Sequence, residues 1–96
     1  MRLPTNRLPT HPGEMLLEEF MKPYGLSARK VAAMIGVPAN RISEIVAGNR
    51  SVTADTAHRL DKLFGMGVDT WLSLQAHYDA AVALQQHDYS GIKQYA

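Results

Sequence analysis

Cysteine is absent from the sequence, which excludes disulfide cross-links, thiolate metal ligands and a thiol nucleophile together. Stability must then come from apolar burial or from association with another chain, and a reducing compartment suits the composition. No apolar run approaches the roughly 18 residues that a membrane-spanning helix needs. The uncharged stretch Leu8 to Gly13 contains two prolines and a histidine, unlike the core of a secretion signal. A cytoplasmic location without membrane association is therefore expected. An internal repeat, an alternating strand pattern and a low-complexity tract are missing as well. What is present is 96 residues, 46% apolar and 20% charged, enough for one small folded domain.

Ten Lys and Arg against nine Asp and Glu give a net charge of +1, but the charge is unevenly spread. Residues 22–50 carry +4, whereas residues 14–21 carry −3 and residues 63–96 carry −2. A basic block of this kind attracts phosphate even when the whole chain is nearly neutral.

Periodicity predicts five helices. Residues 1–10, with Pro4 and Pro9, read as a flexible arm. Pro12 opens the first helix, with Leu16, Leu17, Phe20 and Met21 on one face, and Pro23 and Gly25 end it. Ser27 caps a second helix carrying Ala28, Val31, Ala32 and Ile35 inward, and Gly36 stops it. Pro38 opens a third, with Ile42, Ile45 and Val46 buried and Gly48 beyond its end. Thr53 caps a fourth that points Ala57, Leu60, Leu63 and Phe64 inward, ended by Gly65 and Gly67. The fifth starts at Asp69 and runs through Trp71, Leu74, Tyr78, Ala81 and Val82 to about Gln86. The expected organisation is thus an arm over 1–10, a five-helix domain over 11–86, and a C-terminal tail over 87–96.

Between Ala28 and Ala47, two short helices flank the tight turn Gly36-Val37-Pro38, with Ala32 small enough for a close crossing. This is the spacing of a helix-turn-helix, and the segment resembles the DNA-binding unit of the lambda-repressor-like (XRE) regulators. The likeness extends to the HigA-type antitoxins through three further motifs. His11-Pro12-Gly13-Glu14 resembles their HPGE opening, Ala47 to Thr53 their AGxxxxT connection, and Trp71 to Asp79 their WLxLQxxYD helix. Asp88 to Ile92 is a weaker match to their tail. The resemblance implies an all-α, five-helix fold. It also implies an antitoxin that neutralises a HigB-type ribosome-dependent mRNA endonuclease and represses its own operon. The principal alternative is a stand-alone XRE-type repressor with no toxin.

The third helix offers a reading face. With its apolar stripe inward, about 100° per residue puts Asn40, Glu44 and Ala47 outward, flanked by Arg41 and Ser43. Asn suits adenine, Arg suits guanine or phosphate, Ser either, and Ala a thymine methyl. Glu44 is the dissenting residue, since a carboxylate repels phosphate; it could accept from cytosine or hold Arg41. Ser27, Arg29, Lys30 and Arg50 lie at the margins as expected phosphate contacts. A polar outward face is ordinarily only solvated surface; here the helix-turn-helix spacing and the basic block favour double-stranded DNA, in the form of an inverted-repeat operator.

Catalysis finds little support. His11 and Glu14 stand at a helix start, where capping accounts for both. His58, His77 and His87 lack metalloprotease spacing, which weakens a metal-dependent hydrolase, and Ser27 to Lys30 matches SxxK without its companion motifs. No enzyme activity, metal or cofactor is expected. The fifth helix carries more apolar surface than one small core uses, so Trp71, Leu74, Tyr78 and Val82 are expected at a homodimer interface. Two acidic regions, Glu14, Glu18 and Glu19 and then Asp69, Asp79 and Asp88, are candidates to meet a basic toxin.

Overall fold

The computed structural model describes residues 8–96, so the arm expected over residues 1–10 lies, through residue 7, outside the described residues. Among the described residues all regular structure is helical. Helix α1 (Pro12–Met15) opens on His11, whose Nδ1 accepts from the Gly13 amide at 2.9 Å. The predicted continuous α-helix does not follow. Leu16–Met21 widens into a π-helix, with the Lys22 amide bonding to Leu17 O five residues back, and a 3-10 turn over Lys22–Tyr24 follows. Closure at five residues brings Leu16 and Met21 onto one side, and both are buried while Leu17 and Phe20 are only half-buried.

Helix α2 (Ala28–Ile35) is capped as expected, Ser27 Oγ accepting from the Lys30 amide at 3.1 Å. Gly36 ends it at φ 74°, and both Gly36 and Val37 return their amides to Ala32 O. Helix α3 (Ala39–Val46) starts immediately, with Pro38 just outside it. Helix α4 (Ala54–Phe64) is capped by Thr53 Oγ1, and α5 (Val68–Gln86) begins one residue before the expected Asp69. No helix among these is long and apolar enough to cross a membrane.

The core joins Leu16, Val31, Ile42, Ile45, Leu60 and Trp71, all fully buried. Two local features fix how the elements meet. Gly13 is buried against α3, and a Cβ there would run into the backbone carbonyl of Ile45, so α1 rests directly on the α3 backbone. Gln75, also buried, accepts from the Val52 amide at 2.8 Å and donates to Asp79 at 2.9 Å. That bond satisfies a buried backbone donor and ties α5 to the segment leading into α4. Beyond Gln75 no residue of α5 is buried, and Leu84 is 70% exposed.

Candidate nucleic-acid interface

Helices α2 and α3 make the most extensive helix packing among the described residues, which holds α3 with its apolar stripe inward and its polar face out. Ile42 and Ile45 are fully buried, whereas Asn40, Ser43 and Ala47 are exposed and Arg41 and Glu44 half-buried. Four of the five residues expected to face bases therefore share the outer surface of one eight-residue helix, and Ala47 follows it as the C-cap. Ser43 Oγ donates to the Asn40 backbone carbonyl at 3.3 Å within that helix, and Asn40 is itself exposed.

Arg29 and Lys30 are exposed in the first turn of α2 and enter no ion pair among the described residues. With the unpaired amides of the α2 N-terminus beside them, they form a cationic edge suited to phosphate. Ser27 stands at the same edge, its oxygen accepting the helix cap and its hydroxyl proton still able to donate.

The other two cations on this face are paired. Arg50 bonds to Glu44 at 2.7 Å, and Arg41 bonds to Asp55 at 3.0 Å. The suggestion that Glu44 holds Arg41 is thus overturned: Glu44 holds Arg50, brought to it by the turn at Gly48, while Arg41 leans toward α4. Asp55 also receives Arg59 Nε at 3.0 Å. The Arg59 hydrogen bond above all, with Arg41 adding to it, holds the Asp55 carboxyl below its usual range against opposing desolvation. A shallow cavity of about 410 Å³ lies here, lined by Arg41, Arg50, Ser51, Thr53, Asp55 and Thr56. Asp55 and Arg59 were not singled out from sequence as site residues. Their i,i+4 pairing was visible, but the bridge to Arg41 joins positions 14 apart and arises only when α3 and α4 pack.

At the fifth helix one expectation is corrected. Trp71 is fully buried within its own chain, with the Phe20 ring centroid 5.8 Å away, and presents no surface to a second copy. Its bulk fills the space between the π-helical segment and α5. Leu74, Tyr78 and Val82 are half-buried. Tyr78 packs edge-on to His11, centroids 4.8 Å apart. Burial pushes the His11 imidazole below its ordinary value, against the opposing pull of Asp79 and Glu14. No three His, Asp or Glu side chains among the described residues converge on a metal position.

Residues 17–71, from the π-helical segment to the start of α5, match the helix-turn-helix family. Virulence-associated protein I of Dichelobacter nodosus is 48% identical over 81 residues, 83% of this chain and 75% of that protein. A solved addiction module antidote protein of the HigA family from Coxiella burnetii superposes with a TM-score of 0.85 at 40% identity, covering 93% of this chain and 100% of that one. The antitoxin GraA, solved in complex with its operator, superposes with a TM-score of 0.86 at 34% identity, covering 99% of each chain. The chain belongs to the helix-turn-helix family, as a DNA-binding regulator of the lambda-repressor-like (XRE) type that includes the HigA antitoxins.

Proposed function

We propose that the chain is the antitoxin of a toxin–antitoxin pair, and that it represses its own operon by binding a short inverted repeat as a homodimer. One observation carries the DNA-binding part: the exposed face of α3 bears Asn40 and Ser43, with exposed Ala47 at its C-cap, and the helix before it presents Arg29 and Lys30 without ion-pair partners among the described residues. Asn40, Arg41 and Ser43 read base edges, with Ala47 against a thymine methyl and Glu44 at the border of the read sequence. Ser27, Arg29, Lys30 and Arg50 grip phosphate, Arg50 by exchanging Glu44 for the backbone. The operator-bound structure of GraA, similar over nearly the whole chain, supports the same use of the fold here.

Homodimerisation through α5 places two copies of α3 about one DNA turn, roughly 34 Å, apart. The toxin is a small basic RNA-cleaving protein of the HigB type, met through the acidic residues of the first helix and of α5. Glu14 and Glu19 are exposed there, and Glu18 is paired with Lys22 at 2.9 Å.

Binding to operator and random duplexes across a salt series tests the DNA reading. Asn40→Ala is expected to weaken the operator complex by about 1–3 kcal/mol with little change on random DNA. Lys30→Ala is expected to weaken both alike and to lower the salt slope by about one. Equal losses on both duplexes for both variants would remove α3 as the reading helix.

A further inference from the structure

A chain of hydrogen bonds crosses the helix-turn-helix from its rear to the reading face. Arg59 donates from Nη1 to the carbonyl of Ile35, the last residue of α2, at 2.7 Å. The same guanidinium donates from Nε to Asp55 Oδ2 at 3.0 Å, and Arg41 Nη1 donates to that same oxygen, also at 3.0 Å. The Asp55 carboxylate thus joins α3 to α4 directly and α2 through Arg59, and the side chain at the end of the chain is the one cation on α3. The Arg41 side chain is 29% exposed, against 42% for Arg50 on the neighbouring loop. A guanidinium has five donors, so the contact with Asp55 leaves most of them for another acceptor. An arginine already held in one rotamer loses less freedom when it meets a base edge than one that samples solvent.

We propose that Asp55 is a positioning residue for DNA recognition: it sets the guanidinium of Arg41 for its contact with the operator, and Arg59 anchors Asp55 to the α2 carboxyl end. The proposal rests on the DNA-binding reading above. It runs against simple electrostatics, which is what makes it testable. A carboxylate beside the backbone repels phosphate, so on charge alone its removal tightens binding to every sequence equally and leaves selectivity untouched.

The wild-type chain is used to select a preferred duplex from a random-sequence pool. Affinities for that duplex and for a scrambled one of equal length are then measured for wild type, Asp55→Asn, Arg41→Ala and the double variant, with far-UV circular dichroism to check folding. Asp55→Asn is expected to lower the ratio of selected to scrambled affinity about two- to fivefold, the range of an exposed ion pair, with scrambled DNA bound equally or more tightly. In the Arg41→Ala background the same change is expected to leave the ratio where it is. A ratio that Asp55→Asn does not lower overturns the proposal, as does an equal fall in the absence of Arg41. If Asp55→Asn does not fold, Arg59→Met supplies the comparison, since it removes the anchor and leaves the carboxylate. A fall that disappears in the Arg41→Ala background supports the device, and an unchanged ratio overturns it. A wild-type chain that selects no duplex removes the DNA-binding reading itself, an outcome distinct from a selective wild type whose Asp55 variant is equally selective.

Discussion

At Gly13 a hydrogen atom stands where any side chain would meet the Ile45 carbonyl. Overpacking a core costs about 1–3 kcal/mol where flexible side chains can yield; here backbone faces backbone, and Gly13→Ala is expected at the upper end. For a domain of this size that corresponds to a fall in Tm of about 10 °C or more, and a thermal melt within a few degrees of wild type would mean that α1 does not lean on α3. His11 gives a pH effect of defined sign. Burial holds its pKa below the ordinary 6.5, and the Nδ1 that accepts the cap hydrogen bond must be unprotonated to do so, so the folded state favours the neutral ring. The unfolded chain therefore takes up its proton first. The contribution of His11 is complete above pH 6.5 and is lost as the pH falls from there through the lowered folded value. Asn caps equally well without titrating, so His11→Asn is expected to narrow the Tm difference between pH 7.5 and pH 5.5; an undiminished difference would place the titration elsewhere. The capping role of His11 was legible in the sequence, because Pro12 marks the helix start. The need for glycine at 13 was not, since it depends on a backbone that lies more than thirty residues away.

Among the elements, α5 carries the dimer proposal. Its inner end is fastened by Trp71 and Gln75, and an apolar strip of half-buried Leu74, Tyr78 and Val82 runs outward to exposed Leu84. Val82→Glu introduces a charge into that apolar strip without touching the core. It is expected to shift the chain from dimer to monomer in analytical ultracentrifugation and to weaken operator binding, whereas a wild type already monomeric at tens of micromolar, above ordinary interface affinities, would exclude the interface. The burial of Trp71 inside its own chain illustrates what periodicity leaves out. Helical spacing assigns an apolar face but not whether the same chain or a second one covers it. The caps of α2 and α4 at Ser27 and Thr53, and the α2–turn–α3 unit, were legible because each is fixed by residues within a few positions. The π-helical segment was not, because Leu16, Leu17, Phe20 and Met21 satisfy an ordinary α-helical face equally well, and only packing selects the wider turn.

Over the whole molecule, a near-neutral chain separates its charges between surfaces. The basic block contains α2 and α3, and the acids of residues 14–21 lie before it, Glu14 on α1 and Glu18 and Glu19 on the π-helical segment. If DNA reading and toxin capture use different faces, a variant with Asn40→Ala and Arg41→Ala is expected to lose repression yet still rescue cells from the toxin encoded beside it. Repression is read from a promoter fusion and rescue from growth. A folded, dimeric variant that fails to rescue would show the two faces to be one, and a wild type that binds no neighbouring gene product would leave a stand-alone repressor. The charge division was readable from the sequence; the pairing of Arg41 with Asp55 and of Arg50 with Glu44 inside it was not. The Gln75 bond to the Val52 amide reaches further than the stability of one chain. It ties α5 to the entry of α4, so in the proposed dimer joined through α5 the two reading helices would be held as on a ruler and not on a hinge. One base pair inserted between half-sites turns one of them by about 35° around the duplex axis. A ruler of this kind would have little give to follow that rotation, and under the proposed function the spacing of the operator is expected to count as much as its bases.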